Sequence, residues 1–220
     1  MTTNRQQFDQ SLGKLKQALL EMMEAVTKAV HDAVSSLQAT DLQLARAVVD
    51  NDVHINDMEE AIDDIGTSLI ATQQPVAKDL RRILIAFRMA SDLERMADLA
   101  VDIAKLTIRI GETELVKPLV DIPKMVEMVQ QMIADSVRAY TEENLDLAYK
   151  MAKMDDEVDR LYGKILSDLA AVMSEKPKAV YQSMLLSFVA HHLERMADHA
   201  TNIGEDTVFL VKGVRPRLNQ

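Results

Sequence analysis

The amino-acid sequence predicts an all-α protein made of two similar three-helix units. Three observations support this prediction: the composition, the positions of the prolines and an internal repeat. Of the 220 residues 48% are hydrophobic, but only 4% are aromatic, and the chain has no Trp, 14 Met, six Gly and five Pro. Sandwiches and barrels need many turns and favour aromatic and β-branched residues. The abundance of Ala, Leu, Met, Glu and Lys favours helices instead.

The prolines divide the chain into long segments that contain little glycine. Proline is tolerated in the first turn of a helix and disfavoured in its interior, so Pro75, Pro123 and Pro177 predict helix starts. Asp41 and Asn144 are suitable N-caps for two further helices. The helices are therefore predicted at residues 8–37, 41–73, 75–110, 122–140, 144–175 and 177–212.

The two halves of the chain repeat each other. The segment LERMAD occurs at 93–98 and again at 193–198, and Asp41-Leu-Gln-Leu-Ala matches Asn144-Leu-Asp-Leu-Ala. The offset between matching positions changes only from 103 to 100 along the unit. We therefore expect two tandem, pseudo-symmetric antiparallel three-helix bundles, at residues 1–112 and 113–220.

The helices carry the apolar faces that bundles need. In the second helix Val48, Ile55, Ile62 and Leu69 recur every seven residues, which is typical of a bundle seam. The third helix has a single apolar arc on a helical wheel, formed by Leu93, Met96, Ala97, Ala100, Ile103 and Ala104. Most of the methionines follow the same spacing and are predicted to fill the core.

Charge and composition exclude several classes of function. A net charge of −10 gives no general attraction to nucleic acid or to anionic lipid, so neither partner is expected. No apolar stretch is long enough for a signal core or a membrane span, so we expect no membrane insertion. The absence of cysteine removes disulfides and thiolate metal ligands, and it suits the cytoplasm.

Acidic stripes accompany the apolar faces in both units. Their members are Asp52, Asn56, Glu94, Asp98 and Asp102 in the first unit and Asp155, Asp159, Glu194, Asp198 and Asn202 in the second. Such oxygen ligands bind Mg, Ca, Mn or oxidised iron, with zinc also possible. The wheel places these residues at the bundle surface, on two facing helices of each unit. A solvated acidic face with Arg95 and Arg195 as local partners is the alternative, and recurrence of the pattern in both units weighs against it.

Several other features carry less information. His191 and His192 have no histidine counterparts in the first unit, so a role in metal binding is not favoured. A basic segment near the start of the third helix contains Lys78, Arg81 and Arg82. It fits either a binding site for an anion or a partner, or a solvated helix face, and the sequence alone favours the solvated face.

Phe8 lies near the start of the first predicted helix, and it fits a dimer surface or an ordinary core equally well.

The sequence contains none of the common catalytic motifs. The chain has no serine elbow, no phosphate-binding glycine loop and no Glu-x-x-His pair, so we expect no enzyme. A carboxylate-bridged di- or multi-metal enzyme built on the same stripes is the alternative.

Three segments together resemble the PhoU family of phosphate-transport accessory and signalling proteins. They are residues 91–98, residues 192–203 and the sequence QQPVAKDLRR at 73–82, and the likeness covers nearly the whole chain. The resemblance implies a cytoplasmic, non-enzymatic negative regulator of the phosphate-starvation response. Such a regulator would act as an adaptor between the ATPase subunit of a phosphate ABC transporter and a membrane sensor histidine kinase.

The resemblance also bears on the site and the assembly. Some family members carry iron or zinc clusters, which implies metal on the acidic stripes of this chain. The first unit has Asn56 where the second has Asp159, so the first site is expected to bind more weakly or to hold fewer ions. The expected assembly is a homodimer.

Overall fold

The structure, a computed structural model, describes residues 2–218 and the side chains from residue 6 onwards. Within that range it contains six α-helices, one short 3₁₀ helix at Pro177–Ala179 and no β-strand. The α-helices are α1 (Thr2–Ala39), α2 (Leu42–Gln73), α3 (Lys78–Ile110), α4 (Asp121–Glu142), α5 (Leu145–Glu175) and α6 (Val180–Lys212). The predicted fold class, all-α with two tandem three-helix units, is confirmed.

Both predicted N-caps are present. The Asp41 side chain accepts hydrogen bonds from the backbone N–H groups of residues 43 and 44, at 2.9 and 3.0 Å. The Asn144 side chain accepts the equivalent bonds from residues 146 and 147, at 3.0 and 3.2 Å. These bonds satisfy N–H groups that the first turn of a helix leaves unpaired, which fixes where α2 and α5 begin.

The prolines do not all start helices as predicted. Pro123 lies in the first turn of α4, and Pro177 opens the 3₁₀ helix that leads into α6. Pro75 is a correction: it lies in the turn after α2, and α3 begins three residues later at Lys78. The reason is that Ala77 has φ +50°, outside the helical region, so a helix cannot run through it.

The six helices share one hydrophobic core. Helices α1–α3 pack on one another, as do α4–α6, and the units meet where α3 packs on α6 and α1 on α4. The predicted apolar arc of α3 is buried, and Phe8, left open by the sequence, is 5% exposed within the core. The division at residues 112 and 113 stays a prediction, and it falls in the non-helical segment between α3 and α4.

The backbones of the two units correspond where their first helices end. Thr40 and Glu143, which lie 103 residues apart, both end their helices in the left-handed region, with φ of 53° and 52°. The same offset relates α1 to α4 and most of α2 to α5, while α3 and α6 differ by 100. Of the helices described between residues 2 and 218, none has the length and hydropathy needed to cross a membrane.

Candidate functional site

The acidic stripe of the first unit lies along the contact between α2 and α3. Asp52 is half-buried, and Asn56 donates a side-chain hydrogen bond to it. Burial, followed by the negative charge of Asp98, raises the pKa of Asp52. Burial and Asp98 also raise the pKa of Glu94. We call Asp52, Asn56, Glu59, Glu94 and Asp98 the first acidic cluster.

A local arginine partly neutralises this cluster. Arg95 Nε lies 3.5 Å from Glu94 Oε2, and Arg95 Nη1 lies 3.4 Å from Asp98 Oδ2. The arginine side chain is 60% exposed, so these ion pairs contribute little to stability. The Oδ1 atom of Asp52 is buried and has no hydrogen-bond partner. The first acidic cluster therefore retains uncompensated negative charge.

The second acidic cluster comprises Asp155 and Asp159 of α5 with Glu194 and Asp198 of α6. Asp155 is only 8% exposed, so for this residue the predicted place at the bundle surface is wrong, whereas Asp159 is exposed and Glu194 and Asp198 are partly exposed. Thr201 Oγ1 donates a hydrogen bond to Asp155 Oδ1 at 3.3 Å. Burial, then the charges of Asp198 and Asp159, raise the pKa of Asp155 to about 7.

The two histidines beside the second acidic cluster have different surroundings. His191 Nδ1 lies 3.3 Å from Glu194 Oε2, and its ring centroid is 6.1 Å from that of Tyr162. His192 is half-buried, its Nδ1 atom has no hydrogen-bond partner, and burial lowers its pKa. His191 is therefore close enough to belong to the second site, although the sequence favoured no such role.

The last members of the two stripes are not equivalent. Asp102 pairs with Lys105 at 3.4 Å, and its charge also raises the pKa of Asp52, so it lies at the edge of the first acidic cluster. Asn202 is exposed and instead lines a polar cleft with Arg88 and Asp206, between α3 and α6. Asn202 follows Asp198 by one helical turn and therefore continues the second stripe along α6, at the end next to this cleft.

Glu59 is a site residue that the sequence analysis missed. Its pKa is raised by burial and by the charge of Asp63, and the charge of Glu59 in turn raises the pKa of Glu94. It follows Asn56 by three positions and Asp52 by seven, so helical spacing alone could have identified it. The repeat gave no signal, because the corresponding residue of the second unit is Tyr162.

The basic residues near the start of α3 make contacts within the chain. Lys78 Nζ lies 2.6 Å from Glu143 Oε2, and Arg82 Nε donates to Glu143 Oε1 at 3.0 Å. Arg81 Nη1 donates to the backbone carbonyls of Phe209 and Leu210 at the end of α6, at 3.2 and 3.3 Å. These bonds join the two units, and the partner-binding role of the three residues stays a prediction.

The donor chemistry of both clusters fits a hard cation, because the ligands are carboxylates and each cluster has one carboxylate oxygen, Asp52 Oδ1 or Glu194 Oε2, that is buried without a hydrogen-bond partner. The side chains are nevertheless not gathered around a common point. Among the described residues, no group of three or more His, Asp or Glu side chains is close enough to hold a metal ion. Metal binding at either cluster would therefore require the carboxylates to turn towards one another.

Comparison with known proteins gives a consistent result. The PhoU domain model matches the chain twice, at residues 19–107 and 122–207. The phosphate-specific transport system accessory protein PhoU homolog of Clostridium acetobutylicum is 39% identical over 98% of this chain and 99% of its own length. The Pseudomonas aeruginosa homolog is 36% identical over 96% of this chain and 88% of its own length.

Solved structures agree with the sequence matches. The crystal structure of PhoU from Pseudomonas aeruginosa has a TM-score of 0.88 and 35% identity, and the match covers 94% of this chain and all of that one. The regulatory protein PhoU from Streptococcus pneumoniae also gives a TM-score of 0.88, at 27% identity over 96% of this chain and 99% of that one. Two domain matches on a repeated six-helix fold show that the chain belongs to the PhoU family.

Proposed function

We propose that this chain is a cytoplasmic, non-enzymatic accessory protein of phosphate transport that represses the phosphate-starvation response when phosphate is abundant. The observation that carries the proposal is the full-length similarity to relatives named as accessory proteins of the phosphate-specific transport system. The proposed partners are the ATPase subunit of a phosphate ABC transporter and a sensor histidine kinase. The proposed assembly is a homodimer.

The geometry supports an adaptor because docking requires a rigid, patterned surface and no enclosed reaction centre. Six long helices on one continuous core provide that rigidity. The acidic clusters lie in helix–helix contacts and carry groups whose pKa values burial and like charge raise. A cation bound there would neutralise the carboxylates and tie α2 to α3, or α5 to α6.

We further propose that the clusters bind iron or zinc as a structural or modulatory ion. Asp52, Glu59, Glu94 and Asp98 would hold it in the first unit, and Asp155, Asp159, Glu194 and Asp198 in the second. The bound cation would supply positive charge that offsets the carboxylate repulsion. The first unit has Asn56 where the second has Asp159, but Glu59, whose counterpart is Tyr162, restores the number of carboxylates to four.

The number of metal ions bound per molecule of untagged protein tests this proposal. The double substitution Asp98→Ala with Asp198→Ala should lower the bound metal in elemental analysis while the helical circular dichroism persists. The matched control is Glu60→Ala with Glu157→Ala, which removes two exposed acidic groups from α2 and α5. Equal metal content in the two double variants would rule out these ligands.

The test of the regulatory role is a phosphate-starvation reporter in a bacterial strain that lacks its own family member. In abundant phosphate the reporter should be active in the deletion strain and silent once this chain is expressed. Comparison with a variant altered at Lys78, Arg81 and Arg82 tests the predicted partner site. A reporter that is active in the deletion strain and stays active when this chain is expressed would overturn the regulatory proposal and reopen the metal-enzyme alternative.

A further inference from the structure

The first unit contains a cavity that the acidic clusters do not explain. It lies between α1, α2 and α3, has a volume of about 480 Å³ and opens to solvent. Its apolar wall includes Val48, Ile55 and Ala97, which are 7%, 2% and 1% exposed. Pockets of 300–1,000 Å³ with mostly apolar walls and a few polar groups are typical of small-molecule sites.

Comparison of the two units shows why the cavity exists. Five of its lining positions carry a larger side chain at the corresponding position of the second unit. The pairs are Ala25 and Met128, Ala29 and Met132, Ala47 and Lys150, Val48 and Met151, and Asn51 and Met154. Met132 and Met151 are fully buried, so these larger side chains fill the equivalent space. The cavity therefore results from the sequence of the first unit and is not a general consequence of the fold.

The side chains around the cavity opening also differ between the two units, and they again leave the first unit more open. In the second unit Lys150 Nζ of α5 bonds Asp135 Oδ2 of α4 at 2.8 Å, so an ion pair crosses the groove. In the first unit the lysine position is Ala47, and Asp32 instead pairs with Lys28 of its own helix. Alanine at position 47 has no charged group, so it cannot form an ion pair with Asp32 across the cavity opening.

The polar groups of the cavity favour a cationic ligand. Besides His54, the lining carries one positive side chain, Lys28, and two negative ones, Asp32 and Asp52. Lys28 is paired with Asp32, whereas Asp52 lines the cavity with its Oδ1 atom buried from solvent and without a hydrogen-bond partner. An unsatisfied buried carboxylate oxygen is unfavourable, so a rotation of the Asp52 carboxylate that brings it to a positively charged N–H donor in the cavity would gain free energy.

We propose that this cavity binds a small alkylammonium ion. Its protonated amine would donate to Asp52, and its aliphatic chain would cover the apolar wall formed by Val48, Ile55 and Ala97. Asp52 also belongs to the first acidic cluster, so occupancy of the cavity would withdraw one carboxylate from a metal ion bound there. The proposal does not depend on the regulatory role.

Isothermal titration calorimetry of the full chain, dialysed against a chelator, tests the proposal. The probe is n-octylammonium, with n-octanol and n-octanoate as partners of equal chain length. We expect n-octylammonium to bind at a single site at least about tenfold more tightly than either control. Ala29→Met, which introduces the residue of the second unit, and Asp52→Asn should each weaken binding about tenfold or more. The exposed α2 substitution Ala61→Met should leave it unchanged.

Amide chemical shifts of the unaltered protein locate the ligand even if a variant fails to fold. Shift changes on titration with n-octylammonium should concentrate at residues 25–32, 47–55 and 97–101. Changes centred elsewhere, equal affinity for all three probes, or unchanged binding by folded Ala29→Met would each overturn the proposal.

Discussion

At the scale of single residues, burial and like charge act together on the carboxyl groups between the helices. Asp155 has one hydroxyl donor, Thr201, and two acidic neighbours, Asp159 and Asp198. Its pKa therefore rises from 3.8 to about 7. In the metal-free protein the ionised carboxylate is an unfavourable state, which a proton or a cation relieves.

The metal-free protein should lose stability as the pH rises through this range. Between about pH 4 and pH 7 Asp155 is ionised in the unfolded chain but protonated in the folded one, so its contribution to the free energy of unfolding falls. Relative to the original chain, Asp155→Asn should gain roughly 1–3 kcal/mol between pH 4 and pH 8, because the carboxylate keeps some solvent.

Urea denaturation at pH 4 and at pH 8 measures how much stability Asp155→Asn gains between these two pH values. The matched control is Asp156→Asn, which neutralises the exposed neighbour of Asp155 on the same helix. A gain of the same size in both variants would assign the effect to net charge, and the account of Asp155 would be wrong.

The sequence located most of these acids, because helical spacing and the repeat both mark them. It could not predict that Asp155 is buried, since burial depends on how closely α5 and α6 approach. The i,i+3 spacing of His191 and Glu194 does predict their contact, but His191 has no histidine counterpart in the first unit, so the repeat gave no reason to include it in the site.

At the scale of helices, two glycines of matching helices have opposite surroundings. A Cβ atom at Gly66 of α2 would lie 2.2 Å from Phe87 Cε1 and 3.1 Å from Ile83 Cγ2. A Cβ atom at Gly163 of α5 would meet nothing within 4 Å. Gly66 therefore permits the close approach of α2 to α3, whereas Gly163 only weakens α5 at an exposed position.

Alanine substitutions should separate these roles. Gly163→Ala should stabilise the protein by about 0.5–1 kcal/mol through helix propensity. Gly66→Ala should destabilise it by about 1–3 kcal/mol, because the Phe87 ring has to move in a packed contact. Thermal unfolding followed by circular dichroism compares them, and stabilisation by Gly66→Ala would show that α2 and α3 are not in this contact.

The extents of the helices were largely predictable, since Asp41 and Asn144 cap them through local hydrogen bonds. The start of α3 was not, because proline at position 75 is compatible with either a helix or a turn. The positive φ of Ala77 decides between them, and nothing in an alanine predicts that conformation.

At the scale of the whole molecule, ion pairs hold the two units together alongside the shared core. Glu143, in the turn between α4 and α5, accepts from both Lys78 and Arg82 of α3. The side chains of Arg82 and Glu143 are 22% and 24% exposed, so solvent screens their pair less than a surface pair. The sequence predicted the repeat but not this contact, because Glu143 and Arg82 belong to different units.

A double-mutant cycle should detect the link between the units. Arg82→Ala and Glu143→Gln should show a coupling of about 1–2 kcal/mol in the free energy of unfolding. The exposed pair of Arg138 and Glu142, 3.5 Å apart, should show less than about 0.5 kcal/mol. Equal coupling in the two cycles would mean that Glu143 does not join the units.

A direct binding measurement tests the central proposal, which is that this chain is an adaptor in phosphate signalling. The purified chain is titrated by biolayer interferometry against the transporter ATPase subunit and the cytoplasmic part of the sensor kinase from the same bacterium, with lysozyme as the negative control. We predict saturable binding to at least one of the two partners and none to lysozyme. No saturable binding to either partner up to about 100 μM would contradict the account.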